Sequence, residues 1–196
     1  AASDVYKRQV FTGRERFEPG NPQEGYSPSP QERQSWLQIS YMKEAYHTMG
    51  PKFTLGWMAE ALYSSKNFSE NYTATMMQAG EFAPTPHSKL MYNEAFRANQ
   101  YVAAGIKPIY VLNDMFQFRT EFYGFTPIFP IKKNALNKAY YGKAFSRFEY
   151  MGEVSVICHL PFGAISAYVN HYSSPRREWN VGMTIGWQLF NYRFVE

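Results

Sequence analysis

The sequence has a single cysteine, Cys158, which excludes an internal disulfide framework and a cysteine-rich zinc site. Long apolar runs are missing as well. No stretch of about 20 unbroken apolar residues offers a transmembrane helix. The nearest, 154–175, is interrupted by Leu160-Pro161-Phe162-Gly163, and its halves are β-branched and aromatic, as in a hairpin. Concentrated positive charge is absent too: twenty Lys and Arg against sixteen Asp and Glu leave a net charge of +4. Apart from the pairs Lys132-Lys133 and Arg176-Arg177 the cations are scattered, so a nucleic-acid partner has little support. The histidines His47, His87, His159 and His171 show neither H-E-x-x-H nor another metal spacing and read as structural. No G-x-S-x-G nucleophile elbow occurs. Glu149 and Glu153 share a strand face, but four residues of strand set them about 13 Å apart, beyond the usual glycosidase pairs. No catalytic residue, metal site or cofactor is expected in these residues.

Aromatic residues are abundant. Sixteen Tyr, sixteen Phe and four Trp make 18% of the chain, and Tyr and Trp suit surfaces with one apolar and one wet end. Residues 10–34 are polar and rich in Gly and Pro (Gly13, Pro19, Gly20, Pro22, Gly25, Pro28, Pro30) and read as a loop. From 35 to 196 the chain alternates between apolar and polar residues in segments of about 10 to 15 residues. In 115–126, Phe116, Phe118 and Phe122 oppose Gln117, Arg119 and Glu121. In 145–160, Phe148, Tyr150, Val154, Val156 and Cys158 oppose Arg147, Glu149, Glu153 and His159. In 178–190, Trp179, Val181, Met183, Ile185 and Trp187 oppose Asn180, Thr184 and Gln188.

With 53–65 and weaker versions at 36–48, 72–82, 97–111 and 164–173, the pattern predicts about eight strands. Breaks at Met49-Gly50-Pro51, Leu112-Asn113-Asp114 and Leu160-Pro161-Phe162-Gly163 are too short for parallel crossovers, so the strands are antiparallel. Soluble strands average five or six residues, whereas tilted strands crossing a bilayer need about 9 to 11. That length favours an all-β, up-and-down transmembrane barrel. A soluble β-sandwich or lipocalin, with the greasy face as its core, remains open on pattern alone.

The loop Phe82-Ala-Pro-Thr-Pro-His-Ser-Lys89, the segment Phe96-Arg97-Ala98-Asn99 and the terminal Gly182-Met-Thr-Ile-Gly186-Trp-Gln-Leu-Phe190-Asn-Tyr-Arg193 resemble the C-terminal barrel of patatin-like phospholipases from Bacteroidetes. There a patatin lipase domain precedes a BamA-type surface-antigen barrel. The resemblance implies that these eight strands are the C-terminal half of a sixteen-stranded barrel in the bacterial outer membrane. It also implies that the loop at 83–96 is the family's sixth external loop. That loop's motif places an Arg in the lumen: Phe96 and Arg97 fit it, Ala98 and Asn99 depart, and Glu121 and Glu153 are the expected partners of Arg97. Asn180, Gly182, Ile185 and Trp187 match the spacing by which the barrel-assembly machinery recognises a last strand.

The implied function is to anchor or export an upstream lipase whose catalytic residues lie outside this chain. The implied partners are outer-membrane lipid, the assembly machinery, the upstream half-barrel and the patatin domain. Residues 1–9, AASDVYKRQ, resemble a translated sequencing adapter. The expected fold is an open, curled sheet with its two ends apart. A complete eight-stranded barrel would instead pair 36–48 with 178–190.

Overall fold

The computed structural model describes residues 3–15, 34–69, 71–161, 163–173 and 179–187. Its framework is one antiparallel sheet of eight strands: β1 (Ser3–Glu15), β2 (Gln34–Thr48), β3 (Phe53–Ser64), β6 (Gln100–Val111), β7 (Phe116–Pro127), β10 (Glu149–Leu160), β11 (Gly163–Tyr172) and β12 (Trp179–Trp187). Two small ladders sit in the connections. Strand β4 (Gly80–Glu81) pairs with β5 (Arg97–Ala98), and β8 (Ile131–Lys133) pairs with β9 (Ala139–Tyr141). Each sheet strand pairs with its neighbours in chain order. Strand β2 pairs with β1 and β3 rather than with 178–190, and among the described residues β1 and β12 do not pair with each other. No helix among the described residues is long and apolar enough to cross a membrane, which leaves crossing by strands untouched.

All eight strands are 9 to 15 residues long, above the soluble average and within reach of a bilayer. Their connections are unequal. The segments 49–52, 112–115 and 161–162 turn the chain tightly at one end of the sheet. The longer connections 65–99 and 128–148 lie at the other end.

The structure corrects three expectations. Residues 72–82 form no strand of the main sheet: Tyr72–Gln78 is a helix, α1, capped by Asn71, whose Oδ1 accepts from the backbone N–H of Ala74 at 2.8 Å, and only the two-residue β4 follows. The apolar residues Tyr72, Met76 and Ala79 recur at i, i+4 and i+7, the period of one helix face, and that face packs on Ile131. Residues 10–15 belong to β1 rather than to a loop, so β1 supplies the eighth strand; the rest of that expected loop, 16–33, lies outside the described residues. Strand β1 includes Ser3 to Gln9. A sheet edge accepts any extended segment through main-chain hydrogen bonds, so this pairing is silent on the adapter resemblance. Finally, 145–148 precede β10 as loop, with Phe145 at a φ of 50°.

The two faces of the sheet differ sharply. On β3, β6, β7, β10, β11 and β12 one face presents Trp57, Val102, Ile106, Phe118, Phe122, Val154, Val181, Met183 and Ile185 and carries no Asp, Glu, Lys or Arg. Most of these large side chains are exposed, Phe122 at 54%, Val154 at 50% and Ile185 at 60%. On β1 and β2 the register places charge on this face, at Asp4, Arg8, Arg14 and Lys43. The opposite face bears Glu44, Lys107, Arg119, Glu121, Glu153 and Asn170, all of them buried or half-buried.

Register on the covered face is pinned by glycines set directly opposite aromatic rings: Gly13 and Trp36, Gly56 and Tyr46, Gly105 and Tyr123, Gly182 and Tyr168. Each ring lies where a side chain on the glycine would stand. A Cβ on Gly105 would come within 2.1 Å of Tyr123 Cδ1. Aromatic cover of strand glycines is one way a curved sheet fixes its pairing.

Candidate functional site

The candidate site is the long 65–99 connection laid across the polar face of the sheet. Phe82 and Phe96, each 1% exposed, carry the attachment. They pack with Met58 and Leu62 of β3, Tyr101 and Ala103 of β6, Tyr123 and Phe125 of β7, Met151 of β10 and Tyr172 of β11. Phe82 stacks on Phe125 with centroids 5.8 Å apart, and Phe96 meets Tyr172 edge-on at 5.9 Å. Burying each Phe contributes roughly 1.5–3 kcal/mol toward the entropy cost of ordering the loop.

Polar contacts fix the orientation of the loop. Glu81 and Arg97 are direct partners in the two-residue ladder between β4 and β5. Arg97 Nη2 donates to Glu81 Oε2 at 2.6 Å. Its Nη1 reaches the carbonyls of Met77 at 3.2 Å and Ala79 at 3.3 Å, the unsatisfied oxygens at the end of α1. The guanidinium also lies over the Tyr92 ring at 4.8 Å. The partners of Arg97 named here thus all lie within the connection itself. Neither Glu121 nor Glu153 is its partner, which corrects the expected grouping.

Asn99 holds the base of the loop. It is buried; its carbonyl accepts from the N–H of Ser64 at 2.7 Å, and its Nδ2 donates to Lys66 O and Tyr141 OH. A side-chain amide at this position ties the two feet of the loop together and links them to the next one.

The tip of the loop is held by His87, a residue the sequence offered only as structural. Its Nδ1 lies 2.8 Å from Glu153 Oε1 on β10, and its Nε2 lies 3.1 Å from Thr184 Oγ1 on β12. The imidazole stacks on Tyr168 of β11, with centroids 3.4 Å apart. Asn170 Nδ2 approaches the other Glu153 oxygen at 3.4 Å and is itself held by Asn180, whose Nδ2 donates to Asn170 Oδ1 at 3.1 Å. One loop residue thus bridges three consecutive strands. His87 and Glu153 are 66 residues apart, and no local spacing could have announced the pair.

Nearer the tight turns the polar face carries further pairs. Lys107 bonds Glu44, which also receives the Tyr46 hydroxyl. Glu121 accepts from the Tyr123 hydroxyl and lies 3.7 Å from Arg119. At the loop end Arg147 Nε donates to Glu149 at 2.7 Å. Outside the sheet the Tyr72 hydroxyl donates to Glu94; burial, together with that carboxylate, holds its pKa well above the usual phenol range.

Of the final-strand residues, Asn180 and Gly182 lie on the covered face, Asn180 in the network and Gly182 beneath Tyr168, while Ile185 is on the apolar face. Trp187 closes β12, but its side chain lies outside the described residues. Among the described residues no group of three or more His, Cys, Asp or Glu could hold a metal ion.

No family model matches the chain, and no curated protein or solved structure is significantly similar to it.

Proposed function

We propose that this chain is a membrane-embedded segment of an outer-membrane barrel, its apolar face against lipid and its polar face toward a lumen filled by the 65–99 loop. The observation that carries this reading is the uncharged, exposed apolar face spanning β3 to β12. Soluble proteins rarely leave contiguous apolar surface of that extent facing water. Three features support it: strand length, the collection of short turns at one end and long connections at the other, and aromatic side chains at both rims. Tyr63, Phe148, Tyr150 and Trp179 stand at the loop end, and Phe53, Tyr110 and Phe116 at the turn end, all exposed.

The resemblance set out above extends the reading to the C-terminal half of a BamA-type barrel that anchors or exports an upstream patatin-like lipase. In hydrocarbon every strand edge must be paired. The far edges of β1 and β12, unpaired among the described residues, then belong against the remaining strands of the same barrel. A complete eight-stranded barrel needs β1 to pair with β12. A soluble sandwich needs a second layer over the apolar face.

The test is to reconstitute the full-length protein with and without bilayers and follow its heat-modifiable migration. Folding that requires lipid or detergent supports the reading. A monomer folded in plain buffer overturns it. The gene sequence upstream of Val10 tests the parent class, where a G-x-S-x-G elbow after a Gly-rich loop is expected.

A further inference from the structure

The connection between β7 and β10 has a composition unlike the rest of the chain. Residues 128–148 contain Lys132, Lys133, Lys138, Lys143 and Arg147 and no Asp or Glu. The β8–β9 hairpin gathers them: Ile131 is its buried side, packed with Met76 and Ala79, while Lys132 stands opposite Tyr140 and Lys133 opposite Ala139. All four lysines are exposed, and none of them has an ion-pair partner among the described residues. The acids within reach are already engaged, Glu149 by Arg147 and Ser173, and Glu94 by Tyr72.

Exposed aromatic rings are interleaved with this charge. Tyr140 is 45% exposed, Phe145 62% and Phe148 66%. Phe148 belongs to the apolar face itself, because a Cβ on Gly124 of β7 would touch its ring at 3.0 Å. The loop therefore leaves the sheet from the rim of the greasy surface, with its cations following directly on an aromatic boundary.

We propose that the β8–β9 hairpin and the segment leading to Phe148 bind the phosphate groups of an anionic lipid in the leaflet around the loop end of the barrel. Tyr140, Phe145 and Phe148 seat at the head-group boundary, where rings with one apolar and one wet side belong. The unpaired lysines meet the phosphates. Clustered Lys near an anionic membrane surface attracts it over about one Debye length. This inference rests on the membrane reading above.

The experiment titrates fluorescent diphosphoryl lipid A into the full-length protein held in zwitterionic micelles. It compares wild type with the K132Q/K133Q/K138Q/K143Q variant and with Lys52→Gln at the opposite end of the sheet. Expected is a loss of affinity of at least about tenfold for the quadruple variant, with most of its salt dependence gone, and no change for Lys52→Gln. Equal heat-modifiable migration of all three excludes misfolding as the cause. Wild-type affinity in the quadruple variant overturns the proposal. So does competition by inorganic pyrophosphate at the concentration where lipid A competes, since the site would then be for free phosphate. Insertion into micelles without preference for lipid A over phosphatidylcholine sinks this inference and leaves the membrane reading intact. Folding without micelles sinks both.

Discussion

Glu121 and Glu153 stand directly opposite one another on β7 and β10, two carboxylates whose side chains are only 6% and 7% exposed. Like charges so placed repel across a strand pair, and each is matched by a separate group: Arg119 beside Glu121, and His87 beside Glu153. The loop tip is therefore part of what lets the sheet tolerate the pair. His87→Ala leaves Glu153 with Asn170 as its remaining side-chain partner. The expected loss is about 1–3 kcal/mol of folding free energy, partly recovered by adding Glu153→Gln. Denaturant unfolding in micelles measures it, and strict additivity of the two changes would show that the latch does not exist.

Among the carboxylates Glu81, Glu121 and Glu153, Arg97 is expected to couple to Glu81. In double-mutant cycles Arg97→Ala with Glu81→Ala should show an interaction of about 1–3 kcal/mol, as suits a partly buried charge-assisted hydrogen bond. Arg97→Ala with Glu121→Ala, or with Glu153→Ala, should be additive within about 0.5 kcal/mol. Lys at position 97 keeps the charge but cannot serve Glu81 and the carbonyls of α1 through one planar fork. Arg97→Lys should therefore quicken proteolysis within 83–96.

Val154 lies midway along β10 on the apolar face and Gln117 on the polar face of the neighbouring β7. In bilayers Val154→Arg should cost roughly 2–4 kcal/mol, and Gln117→Arg much less. Equal costs, read from folding titrations into vesicles, would count against lipid on the β10 face.

Gly105→Ala should destabilise by about 1–3 kcal/mol, because its methyl group meets both the Tyr123 ring and the Phe122 carbonyl. Tyr123→Ala in the same chain should relieve only the ring's share. Gly50→Ala, with open space around it, serves as the neutral reference.

Much of the sheet was legible because alternation is a local property. Phe116, Phe118 and Phe122 opposite Arg119 and Glu121 could be assigned to faces from spacing alone, and they take those faces. The misreading of 72–82 has a specific cause. Thr73 and Thr75 imitate a strand, while the helical signal needs Asn71 as a cap and the Tyr72, Met76, Ala79 period read together. The site was less accessible. Arg97 was recognisable, but its partner sits sixteen residues upstream and is chosen by a two-residue ladder too short to show in any pattern. His87 depends on Glu153, Tyr168 and Thr184, which only the lateral order of β10, β11 and β12 brings together.

The unequal connections also set an order of assembly. Tight turns join β2 to β3, β6 to β7 and β10 to β11, so each of these hairpins closes over a few residues, on the microsecond scale of isolated hairpins. Joining β3 to β6 or β7 to β10 must first close a much longer stretch of chain, which raises contact order and slows the step. Phe82 and Phe96 lie against β3, β6 and β7 at once. Their complete burial therefore needs both hairpins in place side by side, so the 65–99 segment finishes folding only after the two hairpins have docked.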